Sequence, residues 1–261
     1  EGVTSIGQYA FYGCDGLESI AIPSGVTKIE SYTYAYCRGL MAVDIPESVV
    51  TIGERAFVGC TGLSEITLPA NITEIGRYAF NDCTQLKQVH SLATTPPTIY
   101  SGTFNYYTNL YVPAIATPLY KEADYWRNFT LVPHQIDGVH YEVVSDANAV
   151  VTYRDTQYNS YAGNVVIPAT VEIEERVYNV TSVYNYAFYG SSALTSVTIG
   201  ENIETIGYYA FKNCSSLTSV EIPDNVKILE YQSFMQCDSL KAVTLGSGVE
   251  HISGEAFYNC S

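Results

Sequence analysis

An aromatic residue recurs every 23 positions: Phe11, Tyr34, Phe57 and Phe80, and later Phe188, Phe211, Phe234 and Phe257. Cysteine keeps the same clock, three residues behind the aromatic, at Cys14, Cys37, Cys60, Cys83, Cys214, Cys237 and Cys260. After Phe188 that slot holds Ser191, and after Phe104 it holds Tyr107. A repeat of this length is one supersecondary unit that cannot bury its own apolar face, so copies must stack.

One full unit runs "IGQYAFYGCDGLESIAIPSGVTK", Ile6 to Lys28, followed by "IESYTYAYCRGLMAVDIPESVVT" and "IGERAFVGCTGLSEITLPANITE". Each holds a short run closed by proline, such as "LESIAIP" or "LSEITLP". Apolar and polar residues alternate there with period two, the pattern of a strand with one buried face. Proline has no N–H for a ladder and ends the strand. Stacked in parallel at about 4.8 Å, Leu17, Ile20 and Ile22 fall on Leu40, Val43 and Ile45, then on Leu63, Ile66 and Leu68.

The pattern Ala-Phe-x-x-Cys-x-x-Leu followed by Leu-x-x-Val-x-Ile-Pro resembles the BspA-like leucine-rich repeats of bacterial cell-surface proteins. The resemblance implies a repeat solenoid, a superhelix lined by parallel β-strands, secreted or displayed at the cell surface. Adhesion is attributed to some members of that family.

The period breaks between Phe104 and Phe188, 84 residues apart. "PLYKEADYW" reads as a short helix opening on proline. It carries the single tryptophan, Trp126, near Tyr120, Tyr125 and Phe129. A cap over the last coil and an aromatic pocket look alike in sequence; the cap is favoured because an end coil must cover its apolar edge. "IDGVHYEVVSDANAVVTYRD" alternates as two strands around Ser145–Asn148, a hairpin signal. "NSYAGNVVIPATV" is a degenerate coil with Asn159 at the cysteine phase and Val165 and Ile167 in the strand slots. "EIEERVYN" reads as an inserted hairpin. We therefore expect two blocks: residues 1–134 with a C-terminal cap over 110–134, and residues 135–261 with a β-hairpin module over 136–180 before repeats 181–261. Both termini fall inside repeats, which predicts that the native protein extends beyond one or both ends.

Chemistry-bearing residues are few. Seven cysteines in one phase read as free, buried thiols filling a turn, because stacked side chains point the same way and no C-x-x-C spacing suggests zinc. His90, His134, His140 and His251 sit in no metal or nucleophile motif and read as surface or turn residues. Glu172, Glu174 and Glu175 read as a solvated edge. No catalytic residue, metal site or cofactor is expected, and an enzyme reading would need a deep pocket with convergent carboxylates in the 110–180 region. The net charge of −15 opposes nucleic-acid binding, which needs a basic footprint. No apolar run approaches the ~20 residues of a membrane helix, so no membrane insertion by this segment is expected.

What remains is surface. The outward strand positions offer Ser19, Asp44, Glu65, Thr67, Gln88, His90, Ser196, Thr198, Ser219, Glu221 and Thr244, small and polar, with Trp, Tyr and Arg missing from that face. The tyrosines, 24 in all, flank the aromatic–cysteine segment instead: Tyr9, Tyr12, Tyr32, Tyr36, Tyr186, Tyr189, Tyr208 and Tyr209. Tyrosine offers contact area and a polar handle at low entropic cost, and it also packs between coils. The expected role is non-catalytic: recognition of a host or neighbouring-cell protein or glycan, or else service as a spacer or self-assembly element.

Overall fold

The structure is a computed structural model and describes residues 2–154, 158 and 161–260. Asn159, assigned above to a cysteine slot, lies outside the described residues. The chain divides into two compact units, Glu1–Val132 and Pro133–Ser261.

The first unit is a β-solenoid of parallel strands. Its longer strands pair in the register the repeat dictates: Ser19–Ala21 with Ala42–Asp44, and Glu65–Leu68 with Gln88–Ser91, each residue opposite the one 23 positions on. The short strands Lys28–Ile29, Thr51–Ile52 and Glu74–Ile75 form a second parallel ladder. Among the described residues no hydrogen-bonded ladder joins Ala42–Asp44 to Glu65–Leu68.

Between these ladders the aromatic column forms the core. Phe11, Tyr34, Phe57, Phe80 and Phe104 stack with centroids 5.1–5.3 Å apart and planes within 17° of parallel. Offset stacking of such rings adds to their large buried area. The residue before each ring is alanine or threonine, and Ala56 and Ala79 are fully buried, which leaves room for the next coil.

The column is closed by the segment after Leu110. Asn109–Tyr111 and Thr130–Leu131 extend the long ladder. Between them lie a 3-10 turn at Ala114–Ala116, an α-helix at Thr117–Glu122 and a 3-10 turn at Trp126–Asn128. The helix carries Pro118 in its first turn, as the sequence suggests, and stops at Glu122 instead of running to Trp126. Trp126 is buried, packs against Phe104, Tyr120 and Phe129, and its indole N–H donates to the Pro97 carbonyl at 2.7 Å. That satisfies its one polar atom, as a buried tryptophan requires.

The second unit opens on antiparallel strands. His134–Ile136 pairs with Val139–Val143, which pairs with Asn148–Thr152. The second hairpin is the one read around Ser145–Asn148. The first was missed, although its turn is Asp137-Gly138, both at positive φ (49° and 80°), the dipeptide that favours a two-residue hairpin. Asn148–Thr152 then runs parallel to Arg176–Val183, and the inserted hairpin pairs Thr170–Ile173 antiparallel with the same strand. From there the solenoid proceeds through Thr205–Ile206, Ile228–Leu229 and His251–Ile252. The longer strands pair as Ala162–Ile167 with Ala193–Ile199 and Ser219–Ile222 with Ala242–Leu245. Tyr161, Phe188, Phe211, Phe234 and Phe257 form the aromatic column of this unit.

His140 departs from expectation. It is buried on the Val139–Val143 strand, where both its backbone N–H (3.0 Å) and its Nδ1 (3.2 Å) contact the Tyr161 hydroxyl. That hydroxyl donates to the Thr152 carbonyl at 2.7 Å. The sequence gives only the alternation of the strand, not the partner that accepts a histidine inside it.

Candidate functional site

Two surfaces were singled out from the sequence, and each is built by the repeat itself. On the strand face, residues 23 apart become cross-strand neighbours: Ser19 opposes Ala42, Ala21 opposes Asp44, Glu65 opposes Gln88 and Thr67 opposes His90. In the second unit Ser219 opposes Ala242 and Glu221 opposes Thr244. Ser196 opposes Asn164, which it meets in a 2.7 Å side-chain hydrogen bond, and Thr198 opposes Val166. Ser19, Asp44, Glu65, Thr67, Thr198, Ser219, Glu221 and Thr244 are exposed, whereas Gln88, His90 and Ser196 are half-buried.

The face is not free of large aromatics. Tyr111 occupies the outward position opposite His90, and the two rings stack 4.3 Å apart and 6° from parallel. Leu110–Pro133 was read as cap alone, so the strand preceding the cap, and its outward tyrosine, went unseen.

The tyrosine flank is a second ladder. Two residues before a core ring the backbone is left-handed at Tyr9, Tyr32, Arg55 and Tyr78 in the first unit and at Tyr186, Tyr209, Gln232 and Glu255 in the second, with φ of 54–62°. This conformation costs a non-glycine residue about 1–2 kcal/mol, and ring contacts along the column oppose that cost. Tyr9 stacks on Tyr32 at 4.9 Å. Arg55 is inserted between Tyr32 and Tyr78, 5.6 and 4.7 Å from their centroids, and donates to the Tyr32 hydroxyl at 2.8 Å. Arg77 lies 5.2 Å over Tyr100. Such cation–π contacts are worth about 0.5–1 kcal/mol when exposed. The arginines were not anticipated, although Arg55 shares the phase of Tyr32 and Tyr78 in the sequence.

A parallel row forms beside it. Tyr12 meets Tyr36 edge-on at 5.5 Å, and Arg38 sits 5.9 Å over Tyr36 while pairing with Asp15 at 3.0 Å. In the second unit Tyr186 contacts Tyr189 and Tyr209 at 5.7 and 5.1 Å, and Lys212 lies 4.7 Å over Tyr209. Tyr208 is exposed, and its backbone N–H donates to Asn185 at 2.9 Å. Tyr9, Tyr12 and Tyr208 remain 52%, 49% and 45% exposed, so these rings meet solvent despite their contacts along the rows.

The thiols play the structural part assigned to them and add one that was not foreseen. All seven are free. Cys37, Cys60, Cys83, Cys214, Cys237 and Cys260 each donate to the carbonyl of the core aromatic 26 residues earlier, at 2.9–3.2 Å. Cys14 is exposed and Cys260 half-buried, a departure from uniform burial. Burial pushes the Cys83 and Cys237 thiols up to about 12 and Cys60 and Cys214 in the same direction, so these are not thiolate nucleophiles at neutral pH.

Two concavities lie in the second unit. One, of about 760 Å³, is framed by the Asp137-Gly138 turn, Tyr141, Tyr161, Val166 and Glu172. Asp137 and Glu172 are exposed on its rim, and the Tyr161 hydroxyl is committed to Thr152. The other, of about 650 Å³, runs along the ends of three successive strands and includes Thr198, Glu221 and Thr244 of the strand face. No group of three His, Cys, Asp or Glu side chains that could hold a metal ion occurs among the described residues. Nor is any helix among them long and apolar enough to cross a membrane.

The family model for the BspA type leucine rich repeat region matches residues 1–119 and 163–261, in 6 copies. No curated protein matches the chain. Among solved structures, a leucine rich cell surface protein of Faecalibacterium prausnitzii is 25% identical over 96% of this chain, with a TM-score of 0.36; the chain spans 59% of that protein's length. A leucine-rich repeat protein of Bacteroides ovatus is 24% identical, with 99% of this chain and 80% of that one covered and a TM-score of 0.46. One from Bacteroides capillosus is 29% identical over 47% of this chain and 88% of its own, with a TM-score of 0.42.

Proposed function

This chain belongs to the BspA-type leucine-rich repeat family, and from that premise we propose that it is a non-catalytic recognition module, displayed at the cell surface or secreted, that binds an extracellular protein or glycan. The observation that carries the reading is the register: the repeat lines the outward strand positions with small or polar side chains at coil spacing and sets tyrosines beside arginine or lysine along the turns. Many weak contacts repeated at coil spacing gain strength by multivalency. The name of the Faecalibacterium prausnitzii protein, a leucine rich cell surface protein, supports the location. An array of extracellular-matrix proteins and glycans, probed with the whole chain, tests this; selective binding supports it, and binding to none of them counts against it.

A second reading treats the repeats as a stiff spacer or self-assembly element. It is favoured by the continuous columns of stacked core rings within each unit, 5.1–5.3 Å apart from Phe11 to Phe104. Sedimentation velocity separates the two: concentration-dependent self-association without foreign ligand selects the second.

A further inference from the structure

The long-strand ladder of the second unit has an edge in the interior of the chain. Ala162–Ile167 pairs along its whole length with Ala193–Ile199 and has no other strand neighbour among the described residues. The hairpin module before it supplies none, because its strands join the other ladder, with Asn148–Thr152 beside Arg176–Val183. The edge therefore comes from the break in the period and not from where the sequence starts or stops. Successive residues of a strand turn their N–H and C=O to opposite sides, so about three residues of Ala162–Ile167 present main-chain groups with no ladder to join.

The concavity of about 760 Å³ runs along that edge. Inward-facing Val165 and outward-facing Asn164 and Val166 all border it, which places it beside the strand and not over either face. Its accessible apolar surface comes from Val166, 54% exposed, and from half-buried Ile136 and Pro168. Sheets ordinarily blunt an open edge with charge, proline or a bulge. Here the register shifts between Gly163 and Asn164, and the run after that shift, Asn164 to Ile167, is regular, uncharged and free of proline. Among the described residues no lysine, arginine or histidine lines the concavity, and Asp137 and Glu172 stand exposed on its rim.

We propose that Ala162–Ile167 takes an added strand: an extended peptide segment of a partner protein, carrying β-branched side chains for Val166 and Pro168 and lysine or arginine for the acidic rim. The inference rests on the recognition reading above and names the partner for one site. In such strand additions main-chain hydrogen bonds give affinity, and the groove beside the edge selects side chains. The volume falls within the ~300–1,000 Å³ of ordinary ligand clefts. A second copy pairing through the same edge would bring the same acidic rim with it, so charge favours a basic partner over self-association.

The test is calorimetric titration of the whole chain with an eight-residue peptide alternating valine and lysine. Two further peptides carry N-methyl groups on the valines alone or on the lysines alone. Alternate amides of an added strand point to one side, so only one of the two sets faces the edge. One methylated peptide should bind about tenfold more weakly than the parent, the scale of one or two main-chain hydrogen bonds, and the other much as the parent does. Hydrogen exchange within residues 162–167 should slow when the parent peptide is bound. Thr170→Trp, which fills the groove without changing charge, should weaken binding. Asp137→Asn with Glu172→Gln should weaken it roughly fivefold, the scale of two exposed ion pairs. Glu201→Gln with Glu221→Gln removes the same charge elsewhere in the unit and should leave it within about twofold. No binding, equal behaviour of the two methylated peptides, unchanged exchange, no effect of Thr170→Trp or equal weakening by both charge pairs overturns the proposal. Self-association that Thr170→Trp abolishes would give the edge to a second copy and overturn it as well. Because the peptide is synthetic, a blank ligand array with a positive titration, or the reverse, separates failure of the recognition reading from failure of this one.

Discussion

The Cys60 thiol donates to the carbonyl of Tyr34, 3.1 Å away in the preceding coil. The same bond recurs through the stack and explains why the slot keeps cysteine: a small, weakly polar group that fills a dry turn and satisfies one carbonyl. Ser191 occupies the same phase, is buried, and accepts from the Tyr161 backbone N–H at 3.4 Å. Cys60→Ser should therefore cost about 1 kcal/mol or less, the scale of one neutral hydrogen bond. Cys60→Val, which overpacks the turn, should cost about 1–3 kcal/mol. Denaturant titration of both variants checks this; equal costs would remove the hydrogen bond from the explanation.

Thiol accessibility follows from the same geometry. In the folded chain a disulfide-exchange reagent should react rapidly with Cys14, more slowly with Cys260, and much more slowly with the five buried thiols. Once the chain is unfolded without reductant, all seven should react. Fewer than seven would reveal disulfides and contradict the ladder of free thiols.

Phe57 sits in the middle of its column, fully buried between Tyr34 and Phe80. Phe57→Ala should lower stability by about 3–5 kcal/mol, the range for losing a buried aromatic. Phe11→Ala, at a half-buried ring, should cost distinctly less. Thermal or denaturant melts of the two variants give the comparison.

Tyr36 lies over the Cα of Gly59, where a Cβ would come 2.6 Å from the ring, and Gly59 has φ of 71°. Gly59→Ala should destabilise by about 1–3 kcal/mol, from left-handed strain together with the clash. In a Tyr36→Ala background the clash is gone and only the strain remains, so the cost should shrink. A double-mutant cycle with no coupling would contradict the contact.

Stability should fall in alkali. Burial raises the folded-state values of Tyr34, Tyr120 and Tyr141 from 10.0 to about 12 and of Cys83 and Cys237 from 9.0 to about 12. Above the unfolded values the unfolded chain releases protons that the folded chain retains, so stability declines with pH. The decline begins near pH 9 and continues to about pH 12, with the thiols acting first. Denaturation midpoints that stay level from pH 8 to 11 would contradict the burial of these groups.

Much of this architecture was legible because the repeat ties sequence distance to spatial neighbourhood. Ile20 opposite Val43, Ile66 opposite Val89 and the Phe57–Phe80 stack follow from the number 23 alone. Where the period breaks, contacts depend on turn chemistry and long-range pairing. The Asp137-Gly138 hairpin and the burial of His140 against Tyr161 were therefore missed, the first despite an audible turn signal. Of the candidate surfaces, the tyrosine positions were visible but their stacking was not. Left-handed backbone at Tyr9, Tyr32 and Tyr78 is not written in residue type, and Arg55 was passed over because only aromatic residues were followed through that phase. Tyr111 escaped because a strand and a cap share one short segment. The groove beside Glu221 depends on how turns close over strand ends, which no pattern of period two reports.

The recognition reading is tested most directly by measuring one ligand identified on an array against two sets of surface variants of the whole chain. One set is Glu65→Ala with Thr198→Ala on the strand face; the other is Tyr12→Ala with Tyr208→Ala on the turn rows. All four side chains are exposed, so folding should be unaffected by circular dichroism. The account predicts that at least one set weakens binding about tenfold, near 1.4 kcal/mol, with the fold intact. Binding unchanged by both sets would contradict it.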